Sequence, residues 1–393
     1  MIGNPTAGSE PPILMAFHDP MKDWTNDDLL LDRNERAHFC ERHTRLGPIF
    51  DWPELRAAFE THERPANDAR KKSRRHGVAA VALGFAGLAL TALTPFLSRL
   101  LPDTVLAERW IGGIAAALIV MGGLVAFHQV LAGREKQRWL GNRYWTERIR
   151  QFHFQLILNN LAKAASAVRD DAALDDWRKF RQSELVNFLH DTAQNLLTTF
   201  DRLGDDRAEE SVWVDRAWMK RLAAPAETQE LAKLIEGLYA LRIGVQERYT
   251  DHKLHTGIFS PRTRAGWLLG LSDALTTAII LLTIAIGAAY AFDFAYVESA
   301  TPNEPHVWFL LLLGLAGALT AAVVAIRVLN EGLLHRTEAE RYEWYLASVR
   351  SIDRRFESAD TAGRIELLRE LERLAYQEMR RFLLAFQEAR FVM

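Results

Sequence analysis

Three features of the chain point to an all-α integral membrane protein. Four apolar runs have spanning length, basic residues gather at the outer margins of each pair of runs, and no alternating β pattern appears between them. The runs cover residues 78–97 and 111–131, then 267–292 and 307–329. Each is about 20 residues long, the length an α-helix needs to cross roughly 30 Å of hydrocarbon. A buried core helix is usually shorter and keeps one polar face. Residues 111–127 (IGGIAAALIVMGGLVAF) and 308–326 carry no charge at all. Within each pair the connection is short, so two transmembrane hairpins are expected.

The flanks set the orientation. Arg70, Lys71, Lys72, Arg74 and Arg75 precede the first run, and Arg134, Lys136, Arg138 and Arg143 follow the second. Arg262 and Arg264 precede the third, and Arg327, Arg336 and Arg341 close the fourth. Between Phe292 and Trp308 the only charges are Asp293, Glu298 and Glu304, and the first turn has only Arg99 and Arg109 as basic residues. Lys and Arg collect on the cytoplasmic side. Both termini and the long middle segment are therefore expected in the cytoplasm, at the inner membrane of a cell. Trp110, Trp267, Tyr290, Tyr296 and Trp308 stand at run ends, where amphipathic rings favour the interface.

The chain has 393 residues and a formal net charge of −2. That small total hides basic clusters at the membrane edges and acidic residues in the remaining helices. The clusters stand beside apolar spans, so they read as lipid-facing anchors, and no nucleic-acid partner is expected. With Cys40 as the single cysteine, neither an intramolecular disulfide nor a zinc ribbon can form. The first thirty residues show no signal peptide, so the first span is expected to act as its own insertion signal.

Residues 1–20, with Pro5, Gly8, Pro11 and Pro12, read as a tail. A helical pattern begins at Trp24. Asp51-Trp52-Pro53-Glu54 reads as a helix start, with Asp51 as the cap and Pro53 in the first turn. That helix is expected to lead into the first span. After the second span a helix is expected from 134 to about 168 without a breaker, then a second over 175–200, a loop at 203–209 and a short helix over 212–222. Leu231, Leu234, Ile235, Leu238, Leu241 and Val245 form one stripe. After the fourth span a helix is expected over 331–356, then a loop at 357–363 and a last helix over 365–385. The resulting division is a tail with helices (1–69), a first hairpin with its extension (70–180), a cytosolic helical segment (181–260) and a second hairpin with C-terminal helices (261–393).

The second half is built like the first. Tyr144-Trp145 is followed by Ile149-Arg150, and Trp344-Tyr345 by Val349-Arg350 at the same spacing. Both halves begin and end inside, so the repeats are parallel. A hairpin running into a helix that begins with His335, Glu338, Arg341, Tyr342 and Trp344 resembles the SLATT group, the SMODS- and SLOG-associating 2TM effector domains. The first copy is similar through Arg134, Glu135, Arg138, Trp139, Tyr144 and Trp145, and lacks the histidine. The resemblance covers residues 70–180 and 262–384 and rests mainly on the hairpin-plus-helix layout. It implies a bacterial conflict effector that forms a pore or damages the membrane when a nucleotide-sensing system is triggered. No nucleotide-binding motif is visible, so a sensor would be a separate partner protein.

No phosphate-binding loop, dinucleotide fingerprint, nucleophile elbow or H-E-x-x-H motif is present, so no catalytic, cofactor or metal residues are assigned and no enzyme is expected. His38, Cys40 and His43 do not match a usual ligand pattern. His252 and His255, beside Glu247 and Asp251, read as a metal or pH-sensing pair or as a solvated face, and His335 with Glu338 as a salt-bridging pair.

The spans hold the candidate site. Gly84, Gly87, Thr91, Thr94 and Ser98 share a face of the first, and Asp273, Thr276, Thr283 and Gly287 share a face of the third. Such faces serve close helix packing or, in a homo-oligomer, line a water path. Asp273, the one acidic residue in a span, reads as functional or as snorkelling, with Arg264 or a neighbouring subunit as its partner. Tyr144, Trp145, Arg150, Trp344, Tyr345 and Arg350 mark the helices expected to couple the cytosolic bundle to the spans. The leading expectation is a membrane effector. A non-conducting scaffold for cytosolic partners and a small-solute transporter are the alternatives, the latter disfavoured by an apolar midplane.

Overall fold

The computed structural model describes residues 33–101, 104–128, 134–201, 212–220, 225–255, 260–291 and 307–388. Among these residues every regular element is helical. The helices are α1 (Arg33–Arg42), α2 (Gly47–Phe50), α3 (Pro53–Arg99), α4 (Thr104–Ala126), α5 (Arg134–Asn159), α6 (Leu161–Arg169) and α7 (Asp171–Asp201). A 3-10 turn (Arg216–Met219) precedes α8 (Gln229–Leu238), which passes through a π-helical turn (Tyr239–Gly244) into α9 (Val245–His255). Then follow α10 (Pro261–Ala291), α11 (Val307–Leu333), α12 (His335–Ser358) and α13 (Thr361–Glu388). Four helices, α3, α4, α10 and α11, are long and apolar enough to cross a membrane.

The chain divides into two compact units, each drawn from separated stretches. The first takes its described residues from Met1–Asn67, Trp139–Gly257 and Ala339–Glu388, and the second from Asp68–Arg138 and Ile258–Glu338.

The two interiors are opposite in chemistry. The first unit buries large side chains, among them Trp52, Phe59, Phe152, Trp177, Leu234 and Leu371. Among its described large apolar residues only Val186 and Met219 are exposed. The second unit buries mostly alanine (Ala80, Ala107, Ala115, Ala265, Ala289, Ala321), while Leu88, Trp110, Val120, Leu124, Trp267, Leu281, Ile284 and Leu313 face outward. Small residues inside and large apolar residues outside suit helices whose solvent is hydrocarbon. In water such a surface would be an aggregation liability.

Several expected boundaries move, each for a local reason. Asp51 does not cap α3. Its carboxylate takes Arg56 at 3.1 Å and faces Arg36 at 3.8 Å. The first turn of α3 closes on Trp52, whose carbonyl accepts from the Arg56 amide at 3.0 Å. The helix expected over 134–168 breaks at Asn160 (φ −130°, ψ 35°), separating α5 from α6. Asn159 and Asn160 turn their side-chain amides back onto the carbonyls of Gln155 and Leu156, at 2.7 and 2.8 Å. Such local side-chain bonds compete with the helix ladder. The helix expected over 175–200 starts earlier, where Asp170 accepts from the Ala173 amide at 2.8 Å.

Over 212–222 no helix of the expected length forms among the described residues: Val212 is helical, and a 3-10 turn follows at Arg216–Met219, capped by Asp215 on the Ala217 amide at 2.8 Å. The helix expected over 331–356 is broken at Leu334, whose φ of 50° lies in the left-handed region. The last loop contracts to two residues because Asp360 starts α13 early, accepting from the Gly363 amide at 2.8 Å. The expected tail, the helix start at Trp24, the loop at 203–209 and Tyr296 lie outside the described residues.

Candidate functional site

In the second unit α3 packs on both α4 and α11 through glycine. A Cβ on Gly87 would lie 2.6 Å from Ile119 Cγ1 and 2.8 Å from the Ala115 carbonyl oxygen. One on Gly122 would lie 3.0 Å from both the Ala80 carbonyl oxygen and the Gly84 nitrogen. Gly314 comes within 2.9 Å of the Ala92 carbonyl oxygen by the same measure, and Gly317 within 2.7 Å of the Ala92 Cβ. Only glycine allows backbones this close.

The nominated face of the first span therefore divides. Gly87 packs on α4, Gly84 is approached by Gly122 at its backbone nitrogen while a Cβ of its own would meet nothing within 4 Å, and Ser98 is buried, its hydroxyl 3.2 Å from Glu108 Oε1. Thr91 and Thr94 donate to the carbonyls four residues back in their own helix, at 2.9 and 2.8 Å.

The face of the third span behaves differently. Asp273, Thr283 and Gly287 are exposed, and Thr276 is half-buried. Thr276 and Thr283 each donate at 2.8 Å to the carbonyls of Ser272 and Ile279 in their own helix, leaving no bond that crosses to another helix. A Cβ on Gly287 would meet nothing within 4 Å. The helix α10 packs on α11 by its other side, through the buried Ala289 and Phe309 and a bond from Arg327 Nε to Ser272 Oγ at 3.4 Å. Among the described residues Asp273 makes no ion pair with Arg264. That guanidinium lies instead in the field of Arg74 and His335.

In the first unit the two matching motifs receive different surroundings. Trp145 is buried with the His62 ring stacked on it at 4.8 Å, and Arg150 is buried with two bonds to Glu147 at 2.9 and 2.8 Å. Tyr144 is buried too. In the second copy Tyr345 is buried and its hydroxyl reaches Gln246 at 3.5 Å, whereas Trp344 is half-buried beneath the Arg381 guanidinium at 3.7 Å. Arg350 is exposed and binds Glu247 at 3.0 Å and Asp251 at 2.8 Å. That engages both carboxylates beside the His252 and His255 pair. His255 Nδ1 also faces Asp251, at 3.2 Å. Among the described residues no three His, Cys, Asp or Glu side chains come together to hold a metal. His43 is buried against the Phe39 ring and His38 pairs with Glu41 at 3.7 Å.

Sequence reasoning missed a buried polar core around α5. Gln151, His153, Gln155 and Asn159 are all buried there. Gln155 donates to the Val212 carbonyl at 3.1 Å and accepts from the Val214 amide at 2.9 Å. It also faces Glu372 at 3.4 Å, and Glu372 takes Arg242 Nε at 2.7 Å. Arg369 donates to Asn159 Oδ1 and to the Trp218 carbonyl, both at 2.7 Å. Burial alone would raise the Glu147 carboxyl, but Arg143 and Arg150 beside it prevail and hold it at about 2.

His153 is held at about 3, first by burial and then by the charges of Arg181, Arg56 and Arg242. Neither of its ring nitrogens has a hydrogen-bond partner, and Phe50, Trp52 and Phe154 surround it. The available signal was the run Phe152-His153-Phe154-Gln155, where aromatic and polar residues alternate and leave the helix no solvent face.

The described residues thus define a helical protein with four helices of spanning character and a second helical unit with a polar core. Comparison with protein-family models, with curated proteins and with solved structures finds no match to the chain.

Proposed function

We propose that the chain is an inner-membrane effector of SLATT type, with two transmembrane hairpins and both termini in the cytoplasm. It acts in a bacterial conflict or anti-phage system by opening a pore, or otherwise perturbing the membrane, as a homo-oligomer. The observation that carries this reading is the exposed face of α10. An uncovered carboxylate at Asp273 on a spanning helix calls for water or another subunit, because hydrocarbon does not solvate it. Thr283 and Gly287 continue that face toward the far end of the helix.

The trigger in this reading is a separate nucleotide-signalling sensor that binds the helical bundle. The helix α3 runs without interruption from Pro53 to Arg99 and is the route by which a shift in the bundle would reach a span. The second half has no such route, because Leu334 breaks it.

Dye and ion leakage from liposomes holding the purified protein tests the proposal. Leakage that Asp273→Asn or Thr283→Leu alters, and that a Gly-Pro insertion after Asn67 uncouples from its trigger, is the expected result. Tight vesicles with correctly inserted, triggered protein would reject the pore and favour the non-conducting scaffold.

A further inference from the structure

At one end of the apolar helices the second unit brings together Arg70, Arg74, Arg264, Glu338 and the buried His335. Arg70 and Arg74 come from α3, Arg264 from the first turn of α10, and His335 and Glu338 from the first turn of α12. Arg70 reaches Glu338 at 3.6 Å. Arg74 is pushed below the ordinary arginine value by partial burial, then by Arg264 and Arg70, with Glu338 opposing. His335 is lowered by burial, and Arg264, Arg74 and Arg70 all act on it against Glu338. The five groups therefore act on one another in one place.

Two further observations point to a ligand. His335 is only 6% exposed, yet its Nδ1 has no hydrogen-bond partner. A buried polar atom left without a bond costs about 1–3 kcal/mol. His335 also opens a 24-residue helix directly after the left-handed Leu334. The positive ends of α10 and α12 both lie at this cluster, and helix N-termini favour anions.

We propose that Arg74, Arg264 and His335 form a binding site for a phosphate group. The guanidinium forks suit phosphate oxygens, and the Nδ1–H tautomer of His335 supplies a third donor. Two sources carry that chemistry, an anionic lipid headgroup and free phosphate. The site's depth favours the lipid. Arg74 stands one turn before the first apolar run at Val78, His335 stands just beyond the fourth, which ends at Leu329, and exposed Trp267 follows Arg264 by less than a turn. The lipid assignment rests on the membrane reading above, whereas the phosphate site does not.

The test titrates fluorescent phosphatidylglycerol, and separately phosphatidylcholine, into the full-length protein in neutral detergent. Saturable binding of phosphatidylglycerol is expected, with phosphatidylcholine much weaker. Arg74→Gln, Arg264→Gln and His335→Gln should each weaken binding on the order of tenfold. Lys72→Gln removes a charge from the same basic belt on another face of α3 and should change binding by less than about twofold. Arg264→Lys, which keeps the charge and loses the fork, should fall between the wild type and Arg264→Gln in affinity and guards against simple misfolding.

Displacement of the lipid by millimolar inorganic phosphate would assign the site to free phosphate. Lipid binding that phosphate cannot displace assigns it to the headgroup. Unchanged binding in Arg74→Gln and Arg264→Gln, or an equal loss in Lys72→Gln, would overturn the site. Flotation with phosphatidylcholine vesicles separates the two claims. Protein that binds phosphate but never floats would reject the membrane reading and leave the site standing.

Discussion

His153 shows how a single side chain ties the bundle to pH. Its folded value of about 3 lies below the ordinary imidazole value of 6.5, so the unfolded chain binds a proton that the folded chain refuses. Stability from this group is complete above 6.5 and is lost as pH falls toward 3. The slope for one proton is about 1.4 kcal/mol per pH unit. Denaturant titrations of the wild type and His153→Leu at several pH values should show a shallower decline for the variant across that window. At neutral pH the variant should be no less stable, because it removes two buried nitrogens that lack partners. An equal acid slope in both proteins would count against this account.

The Arg242–Glu372 pair gives a second test at the same level. Glu372→Leu alone strands a buried guanidinium and should cost about 3–5 kcal/mol, while the double change Arg242→Leu with Glu372→Leu should recover much of that loss. A double-mutant cycle followed by thermal melting reads the difference.

Among the helices, α5 and α3 mark what could and could not be read from sequence. The four apolar runs were legible because length and absence of charge need no knowledge of neighbours. The helix α5 was not legible beyond its existence, since Gln151, Gln155 and Asn159 look solvated on a bare chain and are buried only because α13 and the segment at Val212–Val214 bring them partners. The break falls on Leu334, two residues past Gly332, so the left-handed position holds no glycine to announce it. Leucine in the left-handed region costs about 1–2 kcal/mol, and a β-branched residue costs more. Leu334→Val should therefore lower the thermal midpoint, and Leu334→Gly should not.

The candidate face on the first span was legible as small residues but not as a division of labour. Gly87 and Gly314 bring backbones together, so Gly87→Leu or Gly314→Leu should abolish well-folded protein on size-exclusion chromatography. Gly287→Leu meets open space and should fold normally.

Taken unit by unit, one has an interior of large side chains and the other an exterior of large apolar ones. The unit built around α5 hides its aromatic residues, and the unit built from α3, α4, α10 and α11 displays leucine, isoleucine and tryptophan over an alanine and glycine interior. The sequence repeat is real as a pattern, yet Arg150 and Arg350 end in different environments, one buried on Glu147 and one exposed on Glu247 and Asp251. A local motif does not record which elements will later cover it.

The most direct test of the membrane reading is side-specific labelling. Cys40 is the only cysteine, so Cys40→Ser provides a clean background. Single cysteines are then placed by Asp176→Cys and Glu357→Cys in the bundle and by Glu304→Cys between the third and fourth runs. In intact cells a membrane-impermeant maleimide should label Glu304→Cys alone, and the other two should react only after the inner membrane is opened. Labelling of all three from the same side, or of Asp176→Cys and Glu357→Cys from opposite sides, would contradict the account.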